Sequence, residues 1–109
     1  MTNNLLDAAI FNELKDTTGA EFVEELVTTF LEEVPGMIAE LKSAKETSDE
    51  DAFRRAAHSI KSNANVFGAA SLSELARRLE LEGEGAVEIS ELEDVLSGTE
   101  EVLRSYLDG

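Results

Sequence analysis

Cysteine is absent from this 109-residue chain, proline and histidine each occur once, and cations are heavily outnumbered, with 9 Lys and Arg against 24 Asp and Glu. Each shortage excludes something. Without Cys there is no disulfide and no thiolate metal site, which fits a reducing compartment. With a lone His and no Cys, a metal ion at that His lacks its usual partners. The formal charge of −15 repels nucleic acid and anionic lipid, so neither is an expected partner. No apolar run approaches the ~20 residues needed to span a bilayer. Met1 to Asp7 shows neither a basic n-region nor an apolar h-region, so no secretory signal is expected and the expected location is cytoplasmic. Met1 and the short tails suggest a free-standing protein, with an excised domain as the alternative.

What is present is helical patterning. Apolar residues make up 42% of the chain, enough to fold, and the length suits a single domain over 1–109. No sustained alternation of period two and no hairpin turn signal occurs. A short first segment places Leu6, Ile10, Phe11 and Leu14 on one face. Thr17-Thr18-Gly19 breaks it, and Thr18 with Glu21 reads as a capping box for a second segment. That segment carries Phe22, Leu26, Val27, Phe30, Leu31, Val34, Ile38 and Leu41 at core spacing. Pro35-Gly36 is a turn signal, yet the apolar stripe continues in phase beyond it, so one long kinked helix is expected.

Ser48 or Asp49 caps a third segment from about residue 51 to Phe67, which stops near Gly68. Ser71 with Glu74 reads as the capping box of a fourth, which carries Leu72, Leu75, Ala76 and Leu79. Gly83 to Gly85 forms a loop. Ser90 with Glu93 opens a fifth, with Leu92, Val95, Leu96, Leu103, Tyr106 and Leu107 inward. Gly98 weakens its middle. The expected fold is all-α: an antiparallel up-and-down four-helix bundle with a short additional N-terminal helix.

The third segment holds the scarce charge. Phe53, Ala56, Ala57, Ile60, Ala64 and Phe67 form its buried stripe. His58 lies about 140° around from Phe53, so it faces solvent. Arg54, Lys61, Ser62 and Asn65 stack on the same side, and Arg55 is adjacent in sequence. A neutral imidazole is a nucleophile. Presented outward from a rigid helix, it can be approached in line by a phosphoryl group, and Lys61 can offset the added charge. Ala57, Ser59 and Ser62 are small and leave room for another protein. The plainer alternative is a solvated surface His whose cationic neighbours balance acidic helices.

The run Ala56-Ala57-His58-Ser59-Ile60-Lys61-Ser62-Asn63-Ala64-Asn65-Val66-Phe67-Gly68 resembles the signature of the histidine-containing phosphotransfer (HPt) domain family of two-component phosphorelays. That signature is a His, two residues, Lys, Gly, a further Gly about ten positions after the His, then a Leu-rich helix. His58, Lys61 and Gly68 match, followed by Leu72, Leu75 and Leu79; the Phe30-to-Pro35 run is similar to the family's second helix. The likeness spans roughly Ile10 to Leu107. Ser62 departs from the family's Gly. It reads as a tolerated small substitution, although its hydroxyl could bond the ring or the phosphoryl group.

The resemblance implies that His58 accepts a phosphoryl group from a receiver-domain aspartate and passes it to another, reversibly, with Lys61 stabilising it. Arg54, Arg55, Ser62 and Asn65 are expected to contact the partner, and Gly68 to be structural. It implies a carrier, not an enzyme: no cofactor in this chain, with Mg²⁺ in the partner receiver. The absence of a P-loop or other glycine-rich nucleotide loop agrees. Expected partners are response-regulator receivers and a hybrid histidine kinase, met by a monomer. Apolar docking candidates are Met37, Ile38, Phe11 and Leu14, each of which could equally be core. The alternative is a non-phosphorylated helical adaptor that binds a response regulator or another protein. A sensor-kinase dimerisation fragment fits less well, because Ser59 stands where that fragment has an acidic residue.

Overall fold

The computed structural model describes residues 5–83 and 85–108. The reading of Met1 to Asn4 and the place of Glu84 in the Gly83–Gly85 loop lie outside them. Five helices follow in order: α1 (Ala8–Thr18), α2 (Ala20–Glu46), α3 (Glu50–Phe67), α4 (Ala70–Glu82) and α5 (Ile89–Asp108). Among the described residues there is no strand, and no helix is long and apolar enough to cross a membrane.

The helix ends follow from local chemistry, though not always as the sequence suggests. The Asp7 carboxylate accepts from the backbone N–H of Ala9 and Ile10 and starts α1. Thr18 is not a cap. It is the last residue of α1, and its hydroxyl donates to the Leu14 carbonyl at 2.8 Å. Gly19, with φ +91°, makes the break, and α2 starts without a side-chain cap. Asp49 caps α3, accepting from the Ala52 N–H. Gly68 ends α3 in the left-handed conformation, and its N–H returns to the carbonyls of Ala64 and Asn65. α4 begins at Ala70 behind Ala69 with no side-chain cap, which places Ser71 inside the helix instead of at its cap. α5 begins at Ile89, so Ser90 lies within its first turn. The Glu93 carboxylate reaches across to Lys42 at 2.9 Å.

α2 runs through Pro35 without interruption. Its buried stripe is Val23, Val27, Phe30, Val34, Ile38, Leu41 and Ala44. Phe22 departs from expectation: it is 51% exposed, and Val23 fills the core position. One residue is a 100° rotation, and the spacing from Val27 and Phe30 selects Val23. The stripe of α3 is the expected one.

α2 packs on α3 and α5, α4 on α3 and α5, and α1 on α2 and α3. Phe30 meets Phe67 with ring centroids 4.8 Å apart, and Phe11 meets Tyr106 edge-on at 5.6 Å. Leu41, Ile60, Leu72, Leu79, Leu92 and Leu103 are sealed from solvent, as is Thr99, whose hydroxyl donates to the Val95 carbonyl. Gly98 has a packing role: a Cβ there would come within 3.0 Å of Leu5 Cδ1.

Candidate functional site

The buried stripe of α3 fixes which face turns outward. With Phe53, Ala57, Ile60 and Ala64 inside, the side chain at 58 points to water, and the His58 side chain is 57% exposed. α4 supplies the group that holds it. Glu80 sits beside the buried Leu79, and its Oε2 lies 2.7 Å from His58 Nδ1. The other oxygen, Oε1, lies 2.6 Å from Lys61 Nζ. One carboxylate thus bridges the imidazole and the ammonium.

The electrostatics of this triad determine the ring's tautomer. The Glu80 side chain is only 16% exposed, and burial alone would favour its neutral form. The Lys61 ammonium prevails, with help from His58, and holds the carboxyl below its ordinary value of 4.5. Glu80 is therefore ionised near neutral pH and can only accept. In the neutral ring Nδ1 therefore carries the proton directed at Glu80, and the lone pair is on Nε2. Nε2 points away from α4, with the Ser62 hydroxyl 3.4 Å off, a long and weak contact. Oε1 is enclosed and has no aligned hydrogen bond, so its contact with Lys61 is an ion pair.

The other expected site residues fall around this triad. Arg54 is exposed, and its guanidinium is engaged by Asp51 at 3.2 Å. Arg55 turns toward α2 instead of α4, into a groove of about 360 Å³ between α2 and α3 that Glu40, Ser43 and Ser59 also line. The Asn65 Oδ1 accepts from the Ser73 hydroxyl at 2.5 Å, which ties it to α4 and away from the ring. Gly68 marks the turn into α4, and its carbonyl accepts from the Asp7 N–H at 2.7 Å. The structure brings His58, Lys61 and Ser62 together, and directs Arg54, Arg55 and Asn65 to other partners or grooves.

The apolar candidates are redistributed. Phe11 and Ile38 are buried, and Leu14 and Met37 are partly buried against the core. The large apolar side chains that do reach solvent are Ile10, Phe22, Val66 and Leu81. Among the described residues, no group of three or more His, Asp and Glu could hold a metal ion.

An exposed imidazole on a helix, steadied by a carboxylate and one turn from a lysine, defines a helical protein that presents a histidine at its surface. The sequence model of the Hpt domain matches residues 25–108, and the chain belongs to that family. Comparison with curated proteins and with solved structures found no match. Hpt domains are phosphotransfer modules of two-component signalling. They act as phosphocarriers, not catalysts, and work with receiver domains and histidine kinases. The match begins at Glu25, so α1 and the first residues of α2 lie outside it.

Glu80 is the side chain at the ring that the sequence does not single out. Six acidic residues lie from 74 to 91, and nothing local separates Glu80 from the other five. The available signal was topological: a helical hairpin reversing at Gly68-Ala69 places position 58 opposite about position 79.

Proposed function

We infer that this protein relays a phosphoryl group between receiver-domain aspartates of a two-component phosphorelay, with His58 as the carrier residue. The observation that carries this reading is an accessible ring whose Nδ1 is occupied by Glu80 and whose Nε2 is turned outward. Nε2 attacks the phosphorus of a receiver's aspartyl phosphate, and the P–O bond to the aspartyl carboxylate breaks. Transfer onward reverses the step onto a second carboxylate. Lys61, partly buried and one turn from His58, leaves Glu80 to neutralise the bound phosphoryl oxygens. Mg²⁺ belongs to the receiver.

The fold in this reading is an antiparallel up-and-down four-helix bundle, α2 to α5, with α1 as the additional helix. The ring of contacts α2–α3–α4–α5–α2 supports it, and among the described residues no diagonal pair brings its backbones close together. The pairs 58–80 and 65–73 run in opposite senses along α3 and α4. Residues 1–109 form one such domain, working as a cytoplasmic monomer. Arg54, Arg55, Ser62 and Asn65 edge the surface that meets the receiver, where local cations suit an acidic active site.

The test is to mix the protein with a phosphorylated receiver and assay for acid-labile, base-stable phosphate. The native protein is labelled, and His58→Gln is not, while its helical circular dichroism is unchanged. Labelling that persists in His58→Gln would refute the assignment. Receiver binding that survives the substitution, with no phosphate ever found on the native chain, would favour an adaptor.

A further inference from the structure

The bridging carboxylate has a consequence beyond holding the ring still, and it rests on the carrier reading of His58. We propose that Glu80 is a positioning residue that keeps Nδ1 protonated after Nε2 has been phosphorylated, so that the imidazole remains a ready leaving group for onward transfer.

The chemistry is conserved in atoms and charge. In the loading step the Nε2 lone pair forms the N–P bond while the P–O electrons return to the donor carboxylate. The Nδ1 proton stays where it is. The neutral ring therefore becomes a phosphoimidazolium, with its positive charge shared with Glu80 Oε2 across 2.7 Å. In the unloading step an acceptor carboxylate oxygen forms the new P–O bond, and the N–P electrons return to Nε2. The departing ring is then the neutral Nδ1–H imidazole with which the cycle began. Were Nδ1 to lose its proton while loaded, the leaving group would be an imidazolate, a far poorer one. An anionic partner at hydrogen-bond distance opposes that loss. A neutral amide in the same place would orient the ring equally well and oppose it much less.

The geometry favours this role. Glu80 comes from a different helix than the ring, and its side chain is largely shielded, so its field is weakly screened. Its second oxygen is already tied to Lys61. When Lys61 moves to the phosphoryl group, the Nδ1 proton becomes the carboxylate's main compensation, and the hydrogen bond to the ring strengthens as the ring becomes positive. Other charges near the ring are arranged differently. Arg54 of α3 is engaged by Asp51. Arg55 of α3, one turn before the ring, is turned toward α2, where it lines a groove with Glu40. Asp7, at the start of α1, sits at Gly68, about 15 Å along the helix axis from His58.

The experiment uses the full chain, loaded with phosphoramidate and carrying ¹⁵N-labelled histidine, so that its single imidazole reports alone. Nδ1 protonation and the hydrolysis rate of the phosphohistidine are followed against pH in the native protein and in Glu80→Gln. Expected is an Nδ1–H ring in both loaded proteins at mildly acidic pH. On raising the pH, the loss of the Nδ1 proton and the accompanying fall in hydrolysis rate set in about one to three pH units lower in Glu80→Gln. Glu80→Asp, if the shorter carboxylate still reaches, restores part of the shift. Coincident profiles for native protein and Glu80→Gln would overturn the proposal and leave the carrier reading standing. Absence of phosphohistidine in both proteins, with phosphoramidate and with a phosphorylated receiver, would overturn the two together.

Discussion

Gly68 satisfies two demands that no other residue meets together. Its φ of +72° lies in the left-handed region, and a Cβ added there would stand 2.8 Å from the Asp7 carbonyl oxygen and 3.0 Å from Ile10 Cβ. The first demand ends α3 cleanly; the second lets α1 lie directly on the turn into α4. Gly68→Ala is therefore expected to destabilise the fold by about 2–4 kcal/mol, roughly 1 from the backbone conformation and the rest from displacing α1. Urea unfolding measures the total, and amide shifts confined to α1 and the turn would locate it. A loss below about 1 kcal/mol would mean that α1 can move aside at little cost. This residue was legible as a helix stop, but the close approach of α1 was not, because residues 7 and 68 are far apart in sequence. Ser62 and Glu80 make the same point from opposite sides. Ser62 was noticed because it breaks a pattern, and its contact with the ring proves long. Glu80 breaks no pattern, and its contact is short.

α2 tolerates a proline in its interior because of where that proline falls. Pro35 and Gly36 are both exposed, while Val34, Ile38 and Leu41 on the opposite face are buried. The Leu31 carbonyl, deprived of its intrahelical donor, lies on the side that water can reach, and the buried stripe holds the two halves in line. Pro35→Ala supplies the missing N–H. Set against the greater freedom it gives the unfolded chain, the net gain is expected to be about 1–3 kcal/mol. A rise in the thermal midpoint checks this; no rise would show that α2 has already relaxed around its lost bond. The helices themselves were readable from apolar spacing, which is why the stripe of α3 was anticipated residue by residue. Their first residues were read less well. Thr18, Ser71 and Ser90 each sit three residues before a glutamate, but a capping box matters only when the backbone enters the helix there. In this protein Gly19 and Ala69 make those entries for α2 and α4, and Ile89 starts α5.

The acidic excess acts on all five helices at once. With a formal charge of −15 on a body 42 × 29 × 18 Å, unscreened carboxylates repel across the full width of the protein at low ionic strength, where the Debye length is about 30 Å. The ion pairs that could oppose this are mostly exposed and local, such as Arg77 with Glu74 and Arg104 with Glu100, and contribute little. Raising NaCl from about 10 mM to about 0.5 M should therefore raise the thermal midpoint by several degrees, on the scale of 4–8 °C per kcal/mol for a domain of this size. A midpoint that falls would show that ion pairs such as Lys42–Glu93 outweigh the general repulsion.

Composition and apolar spacing alone determined that this chain is helical, where its helices lie and that His58 faces water, because burial of a stripe depends only on the period of the helix. Which groups meet that imidazole was decided by tertiary structure. The register between α3 and α4, set at Gly68-Ala69 and fixed by core packing, brings Glu80 onto Nδ1 and Lys61 and ties Asn65 to Ser73. Contacts between helices depend on that register, and no residue within α3 encodes it.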